Sequence, residues 1–350
     1  MKKRNFFLDL TVLIPCYNAE NTIDKLMQSI ERQKYPLDHL KIIATNDGST
    51  DDTLTKLNVW FKKFGADVMT VIDQTNVGIA ESRNILMDNV KTKWFTFIDS
   101  DDYYESKAFR HFCGCSKNQT VDVIVSKTYR RNGKKKTSWW LTNWMSTSIH
   151  HYIGNNIFFA WNKVYRTDFL RDVVKFKYLK GNDMMEDQAF FASLAPKIKK
   201  IGKCNHFTYN FVYSDNSLSS VVNYKKNEDK FIQMMNNLDY SLTNMLQNKS
   251  YKQLSRKEKR IFSVVVYNFA MQVFLTYVLF PAWYGFEKNV QDELKYIFYT
   301  EKRQIFTKIL EQHRIKFRMP FGWWRKITYI CLRLKNRFKS NKFRMHTKHI

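Results

Sequence analysis

Asp99-Ser100-Asp101-Asp102 ends an apolar run, Trp94 to Ile98. Two carboxylates at i and i+2, lifted into a loop, can approach one hard cation together. A divalent ion with oxygen ligands, Mn2+ or Mg2+, would then keep open positions for phosphate oxygens. Alone, an Asp-x-Asp is more often a solvated acidic turn that caps the following helix. Here three further segments share its setting. Pro15-Cys16-Tyr17-Asn18, Asn46-Asp47-Gly48-Ser49-Thr50-Asp51, and Asn76-Val77-Gly78 through Ser82-Arg83-Asn84 each follow an apolar run. Four turn-forming polar clusters at four successive strand ends are better explained by one composite nucleotide site than by four unrelated caps.

The elements that must carry these residues alternate in type. Leu10 to Pro15 reads as a buried strand, and Ile23, Leu26, Met27 and Ile30 then recur at i, i+3, i+4, i+7, the stripe of an amphipathic helix. Leu40 to Thr45 is the next predicted strand. Ser49 or Asp51 can cap a helix carrying Leu54, Leu57 and Phe61. Val68 to Ile72, a helix over about Gly78 to Val90, and Trp94 to Ile98 continue the rhythm. It predicts an α/β fold of right-handed βαβ units, a mostly parallel sheet flanked by helices, with ligands at the carboxyl ends of its strands. Val121 to Val125, Phe158 to Val164 and Phe207 to Val212 are further strand candidates. Arg130 to Lys136 reads as a basic turn with Asn132-Gly133 at its tip. From about Lys225 the pattern becomes helical, which sets an expected boundary between a domain at 1–220 and a helical, basic, aromatic module at 221–350.

In order and spacing, the four polar segments resemble the nucleotide-sugar half of family-2 inverting glycosyltransferases of the GT-A fold, of the bacterial cell-surface polysaccharide type. The resemblance extends through Trp161-Asn162-Lys163-Val164-Tyr165 and Met185-Glu186-Asp187-Gln188-Ala189-Phe190-Phe191. It implies that Pro15 and Tyr17, with Asn18, frame the pocket for base and ribose. Asp47 would accept a hydrogen bond from the base, with Gly48, Asn76 and Gly78 shaping the surrounding loops and Arg83 near the same pocket. Asp99 would touch the ribose or the metal, beside Ser100, and Asp101 would be the main ligand of Mn2+ or Mg2+. Asp187, in the pair Glu186-Asp187, would be the catalytic base. Direct displacement at an anomeric carbon needs such a base for the acceptor hydroxyl, together with charge neutralisation on the departing diphosphate. Glu186 and Asp187 also suit the first turn of a helix with Phe190, Phe191 and Leu194 on its core face. The sequence departs from the family pattern near Tyr209 to Ser214, where Val212 and Ser214 occupy positions at which the family commonly has arginine. His206, Lys225 and Lys226 are the nearby basic residues in the chain.

Composition bounds the rest. The 350 residues are 44% hydrophobic, which excludes wholesale disorder, and ten glycines exclude a collagen-like class. Cys16, Cys113, Cys115, Cys204 and Cys331 are too few and too irregular for a disulfide scaffold and read as reduced thiols. The basic start meets Asp9 before any long apolar run, so no signal peptide is expected. Net charge is +26, and 302–350 holds 15 Lys plus Arg against Glu311 alone. Trp323, Trp324, Phe317, Phe321 and Tyr329 interleave with those cations, a pattern suited to an anionic membrane interface. The apolar stretch Ile261 to Phe286 is diluted by Ser263, Asn268 and Gln272 and interrupted by Pro281, so a buried helix pair is expected over a membrane span. The expected partners are a UDP-sugar donor, a glycan or lipid-linked glycan acceptor of a growing surface polymer, and the cytoplasmic face of the cell membrane. Nucleic acid is not expected, because no helix-turn-helix, zinc-finger or RNP signature accompanies the charge. Two rival readings are a nucleotide-sugar-binding protein without turnover and, behind it, a basic nucleic-acid-binding protein.

Overall fold

The computed structural model describes residues 7–116, 120–138, 159–213, 227–247, 251–256, 258–259, 262, 265–266, 269 and 303–312. β1 (Leu10–Cys16) is buried along its whole length, which is why it reads as a continuous apolar run and not as an alternating one. It lies between β2 (Leu40–Asp47) and β4 (Trp94–Phe97), parallel to both, and β2 pairs in parallel with β3 (Met69–Gln74). The order 3-2-1-4 therefore gathers four carboxyl ends on one edge. Three helices connect these strands: α1 (Ile23–Glu31), α2 (Thr53–Phe64) and α3 (Ile79–Asp88). The predicted stripe of α1 is buried at all four positions, whereas on α2 Leu57 and Trp60 are the buried pair and Leu54 and Phe61 are half-buried.

Beyond β4 the sheet is mixed. β8 (Lys163–Arg166) runs antiparallel to β4. It is followed across the sheet by β6 (Val123–Asn132), β9 (Ile201–Val212) and the short β5 (Tyr103–Tyr104), with β7 (Lys135–Ser138) paired to β6. The expected parallel character thus holds for the first half; antiparallel neighbours need no crossover helix. The basic turn is a hairpin in which Asn132 faces Lys135 across Gly133-Lys134, and Gly133 takes φ +55°. A glycine with positive φ at the first turn position fits a type II′ hairpin. Of the strand expected over Phe158 to Val164, Phe158 lies outside the described residues, and from 159 onward the strand begins at Lys163, because Asn162 takes a left-handed φ of +56° and ties its amide to Ser126 O and Thr128 Oγ1 across the sheet.

α4 (Ala108–Cys115) packs against β9, and α5 (Glu186–Leu194) packs against α6 (Asn227–Leu246). Two compact units are present, 1–269 and 270–350. In the second, helix Arg303–Gln312 is described. Most of 261–286 and of the basic tail, together with Ser217, Ser219, Lys225 and Lys226, lies outside the described residues. Phe262, Val265, Val266 and Phe269 are described, and all four are buried. No helix among the described residues is long and apolar enough to cross a membrane. Cys16, Cys113, Cys115 and Cys204 are free thiols.

Candidate active site

Two strand-end loops are stitched together by one asparagine. Asn18, at φ +47°, accepts at Oδ1 from the Thr50 amide (2.9 Å) and donates its own amide to Ser49 Oγ (3.0 Å). Beside it Pro15 is buried, while Tyr17 is 52% exposed and offers an open ring face. Asp47 at the end of β2 is buried. Its carboxylate accepts from the amides of Val77 (2.9 Å) and Gly78 (3.0 Å) and from Gln74 Nε2 (2.8 Å). Its oxygens thus hold the loop that opens α3. Gly48, at φ +66°, must be glycine, since a Cβ there would sit 2.6 Å from the Asn76 amide nitrogen. Asp47, Gly48, Asn76 and Gly78 therefore form one folded unit across the ends of β2 and β3.

Arg83 is the centre of the arrangement. It lies on α3, is 2% exposed, and has the Phe97 and Tyr178 rings 5.9 and 5.7 Å from its guanidinium carbon. Nη1 donates to Glu186 Oε1 (2.6 Å) and Asp187 Oδ1 (2.8 Å), and Nη2 donates to Asp99 Oδ1 (3.2 Å). One guanidinium thus joins the end of β4 to the first turn of α5, which is where the sequence places Glu186 and Asp187. Burial opposes its charge, but Asp187 and Glu186 hold the Arg83 pKa above its ordinary value. Glu186 is pushed up to about 8 by burial and by the Asp187 charge, against the pull of Arg83. Its proton is therefore retained near neutrality.

The acidic strand end divides its labour. Asp102 faces inward, accepting from Tyr209 Oη (2.6 Å) and the Val212 amide (2.7 Å), and so pins β9 to the loop. Asp99 meets Arg83 through Oδ1, and burial with the neighbouring Asp101 and Asp187 charges pushes it up to about 6. Asp101 is also raised by burial, against a hydrogen bond from its own backbone. Partly desolvated carboxylates crowded at one loop are a donor set that a hard divalent cation would relieve. Asp99 and Asp101 fit that ion; completing its shell requires oxygens from elsewhere, since no group of three or more His, Cys, Asp or Glu among the described residues could hold a metal.

Several participants were not singled out from sequence. Asp183 accepts at Oδ1 from the Ala80 amide (2.9 Å) and lies directly over Gly78, where a Cβ would collide with its carboxylate. Asn84 exchanges two hydrogen bonds with the Tyr178 backbone, 2.9 and 2.7 Å. The buried Lys163 donates to Phe159 O, Trp161 O and Asn162 Oδ1. Burial pushes it down to about 7, while three acceptors around Nζ match the three protons of an ammonium. Asn84 and Lys163 stood within the segments that carry the resemblance, without a role of their own; for Asp183 the sequence signal was the glycine it overlies.

The β6–β7 hairpin carries a basic face. Residues 123–138 include six Lys or Arg and no acid. Arg131 and Lys136 stand directly opposite one another, and Glu105 accepts from both, at 3.2 and 2.7 Å. Lys136 lies 3.8 Å from the Tyr129 ring centre, Arg130 4.9 Å from Tyr213, and Arg131 and Lys25 5.7 and 4.0 Å from Tyr103. Arg131 also pairs with Val212 in register, so a guanidinium stands on the strand beside the position where the sequence lacks one. His206 is exposed and stacks on His111, ring centres 3.8 Å apart.

Comparison with known proteins adds to this geometry. Residues 11–175 match the model of the family described as glycosyl transferase family 2. The poly(ribitol-phosphate) beta-glucosyltransferase of Bacillus spizizenii is 32% identical over 129 residues, 36% of this chain and 20% of that protein. The processive diacylglycerol beta-glycosyltransferase of Mycoplasma genitalium is 23% identical over 327 residues, 86% of this chain and 91% of that protein. The chain spans less than a third of the length of the first curated relatives it matches. Among solved structures, Staphylococcus aureus TarS 1–349 in complex with UDP-GlcNAc superposes with a TM-score of 0.54 at 18% identity, covering 88% of this chain and 93% of that one. That likeness establishes the GT-A architecture.

Proposed function

We propose that this chain, whose residues 11–175 are a glycosyl transferase family 2 domain on a GT-A fold, transfers a sugar from a nucleotide donor, a UDP-sugar, to a hydroxyl of a surface glycan with inversion at the anomeric carbon. The observation that carries the reading is the Arg83 bridge, which puts the strand-end carboxylate Asp99 and the helix-borne pair Glu186-Asp187 around one guanidinium. Donor side and acceptor side of a displacement reaction need that proximity.

Pro15, Tyr17 and Asn18 would border the base and ribose, with Tyr17 stacking. Asp47, Gly48, Asn76 and Gly78 fix the loop floor, and Ser100 lies between the two carboxylates that would hold Mn2+ or Mg2+, Asp99 and Asp101. Such an ion supplies charge neutralisation to the leaving diphosphate. Asp187 takes the proton of the acceptor hydroxyl, oriented by Arg83, and Glu186 retains its own. Inversion needs no protein nucleophile. Arg131, beside Val212 and bonded to Glu105, and Lys25, which feels the Asp102 charge, are the described cations that would face developing negative charge near that loop.

The acceptor we favour is an anionic polymer, because the hairpin face carries lysines and arginines seated on aromatic rings and the relative from Bacillus spizizenii is named for a poly(ribitol-phosphate) substrate. A lipid-borne acceptor is the second reading, favoured by the full-length match to a diacylglycerol glycosyltransferase. The basic tail at 315–350 would then hold the protein to the cytoplasmic membrane face, and its removal should release the protein from phosphatidylglycerol vesicles. Calorimetric titration with UDP, with and without Mn2+, tests the core reading. Metal-dependent binding that Asp101→Ala abolishes supports it; absence of binding at every metal concentration withdraws the donor.

A further inference from the structure

The residues between α3 and α5 are held from a helix that lies outside the segment matched by the family model. α6 presents Gln233, Asn236, Asn237 and Tyr240 at i, i+3, i+4 and i+7, one polar stripe on a helix whose Phe231, Met234, Met235, Leu238 and Leu242 are buried. Each member of that stripe bonds the chain leading to Glu186. Tyr240 Oη donates to Lys177 O (2.7 Å), and Asn236 Nδ2 donates to Asn182 Oδ1 (2.9 Å). Gln233 Oε1 accepts from the Asp183 amide (3.1 Å). Asn237, fully buried, donates from one Nδ2 to both Asn182 O and Met184 O at 2.8 Å. The next residue, Met185, is in the left-handed region at φ +62°, a costly conformation for a non-glycine that persists only where surroundings impose it. Met185 is followed at once by Glu186 and Asp187.

We propose that Asn237 is a positioning residue for the acid-base pair: by clamping the 182–184 backbone it imposes the left-handed turn at Met185, which aims Glu186 and Asp187 at Arg83. The inference rests on the glycosyl-transfer reading for its kinetic consequence but not for its structural one. The clamp works from both sides, since Asp183 also caps the Ala80 amide on α3. An asparagine suits the task because a single amide NH2 supplies two donors to two carbonyls. Its own Oδ1 has no hydrogen-bond partner among the described residues, a cost inside the core that a purely packing role would not require. Leucine has the same branching and heavy-atom count, though a larger volume, and removes both donors together with the unpaired oxygen.

Asn237→Leu and the neighbouring Leu238→Ala separate positioning from stability. In the full chain, Asn237→Leu should lower kcat on the order of 100-fold with the donor KM and the UDP affinity unchanged, the scale of a misplaced catalytic group. Its amides over 183–188 should exchange with deuterium faster, while those of β1 keep their protection. Leu238→Ala should lower the melting temperature with kcat retained. Should Asn237→Leu fail to fold, Gln233→Leu, which removes the bond to the Asp183 amide, provides the same comparison. Unchanged kcat with unchanged exchange over 183–188 would overturn the proposal, as would equal loss of kcat in Leu238→Ala. If wild-type protein shows no transfer and no UDP binding, the glycosyl-transfer reading fails, and the exchange measurement alone still decides the clamp.

Discussion

Asp187 and Arg83 make opposite demands on substitution. Asp187→Asn keeps the side-chain volume and a hydrogen bond to Arg83 while removing the proton acceptor. Transfer should fall by about 10²–10⁴ with UDP affinity retained, as single-turnover rates and calorimetry would register. Arg83→Met instead leaves three carboxylates without their common partner. Removing one partner of a buried ion pair costs about 3–5 kcal/mol, so this variant should show an earlier urea midpoint even without substrate. Asp99 gives a pH test. Its folded pKa of about 6 lies above the unfolded carboxylate range, so the folded state binds the proton more tightly and stability from this group declines as pH rises toward 6. A divalent cation held by Asp99 and Asp101 would reverse that loss. Mn2+ should therefore raise the melting temperature more at pH 7 than at pH 5, and metal-dependent UDP affinity should fall up to about tenfold per pH unit below 6. At this scale much was legible in sequence: Asp99, Asp101, Glu186 and Asp187 all come to one locality. Arg83 was expected near the base pocket, and its bonds to Asp99, Glu186 and Asp187 were not legible, because a residue 16 positions from one partner and 103 from another shows no spacing signal.

The elements obey their patterns where burial is uniform. β1 and α1 follow the predicted apolar runs, since a central parallel strand and the helix covering it meet apolar neighbours throughout. Patterns misled where side chains rewrite the backbone, as at Asn162, whose amide bonds across the sheet and delays β8. Glycines mark the tight loops. Gly78→Ala would place a methyl against Asp183 at φ +85°, and should cost about 1–3 kcal/mol and loosen the start of α3. The hairpin gives a surface prediction. Lys127→Gln with Lys136→Gln should lower affinity for a phosphodiester-linked polyol oligomer and flatten its salt dependence, while a neutral glucan of the same length is unaffected. Arg83 bonds Asp99, Glu186 and Asp187 and neither of these lysines, so UDP titration serves as the control.

Across the whole molecule the site is not contained in the segment that resembles its relatives most. The strand-end loops lie within 11–175, but Asp183, Glu186 and Asp187 follow it and α6 stands behind them. A chain ending at 220 would keep the sheet and lose α6. It should retain measurable UDP binding with strongly reduced transfer, whereas a chain ending at 269 should retain both; paired calorimetry and turnover assays distinguish them. The sequence boundary near 221 followed a change in pattern, from alternating strands and helices to helices alone. Such a change records element type and carries no information about which carbonyls a later asparagine will reach.

The Arg83 bridge also bears on the order in which substrates arrive. A cation and diphosphate at Asp99 would draw that carboxylate away from Arg83, leaving the guanidinium wholly to Glu186 and Asp187. Before that exchange the base shares its orienting partner; afterwards it does not. For the proposed transfer, that exchange predicts a compulsory sequence, nucleotide-sugar first and acceptor second. Steady-state velocities should then give UDP as a competitive inhibitor toward the donor and a non-competitive one toward the acceptor, and an isotope-trapping experiment should capture enzyme-bound donor but no enzyme-bound acceptor.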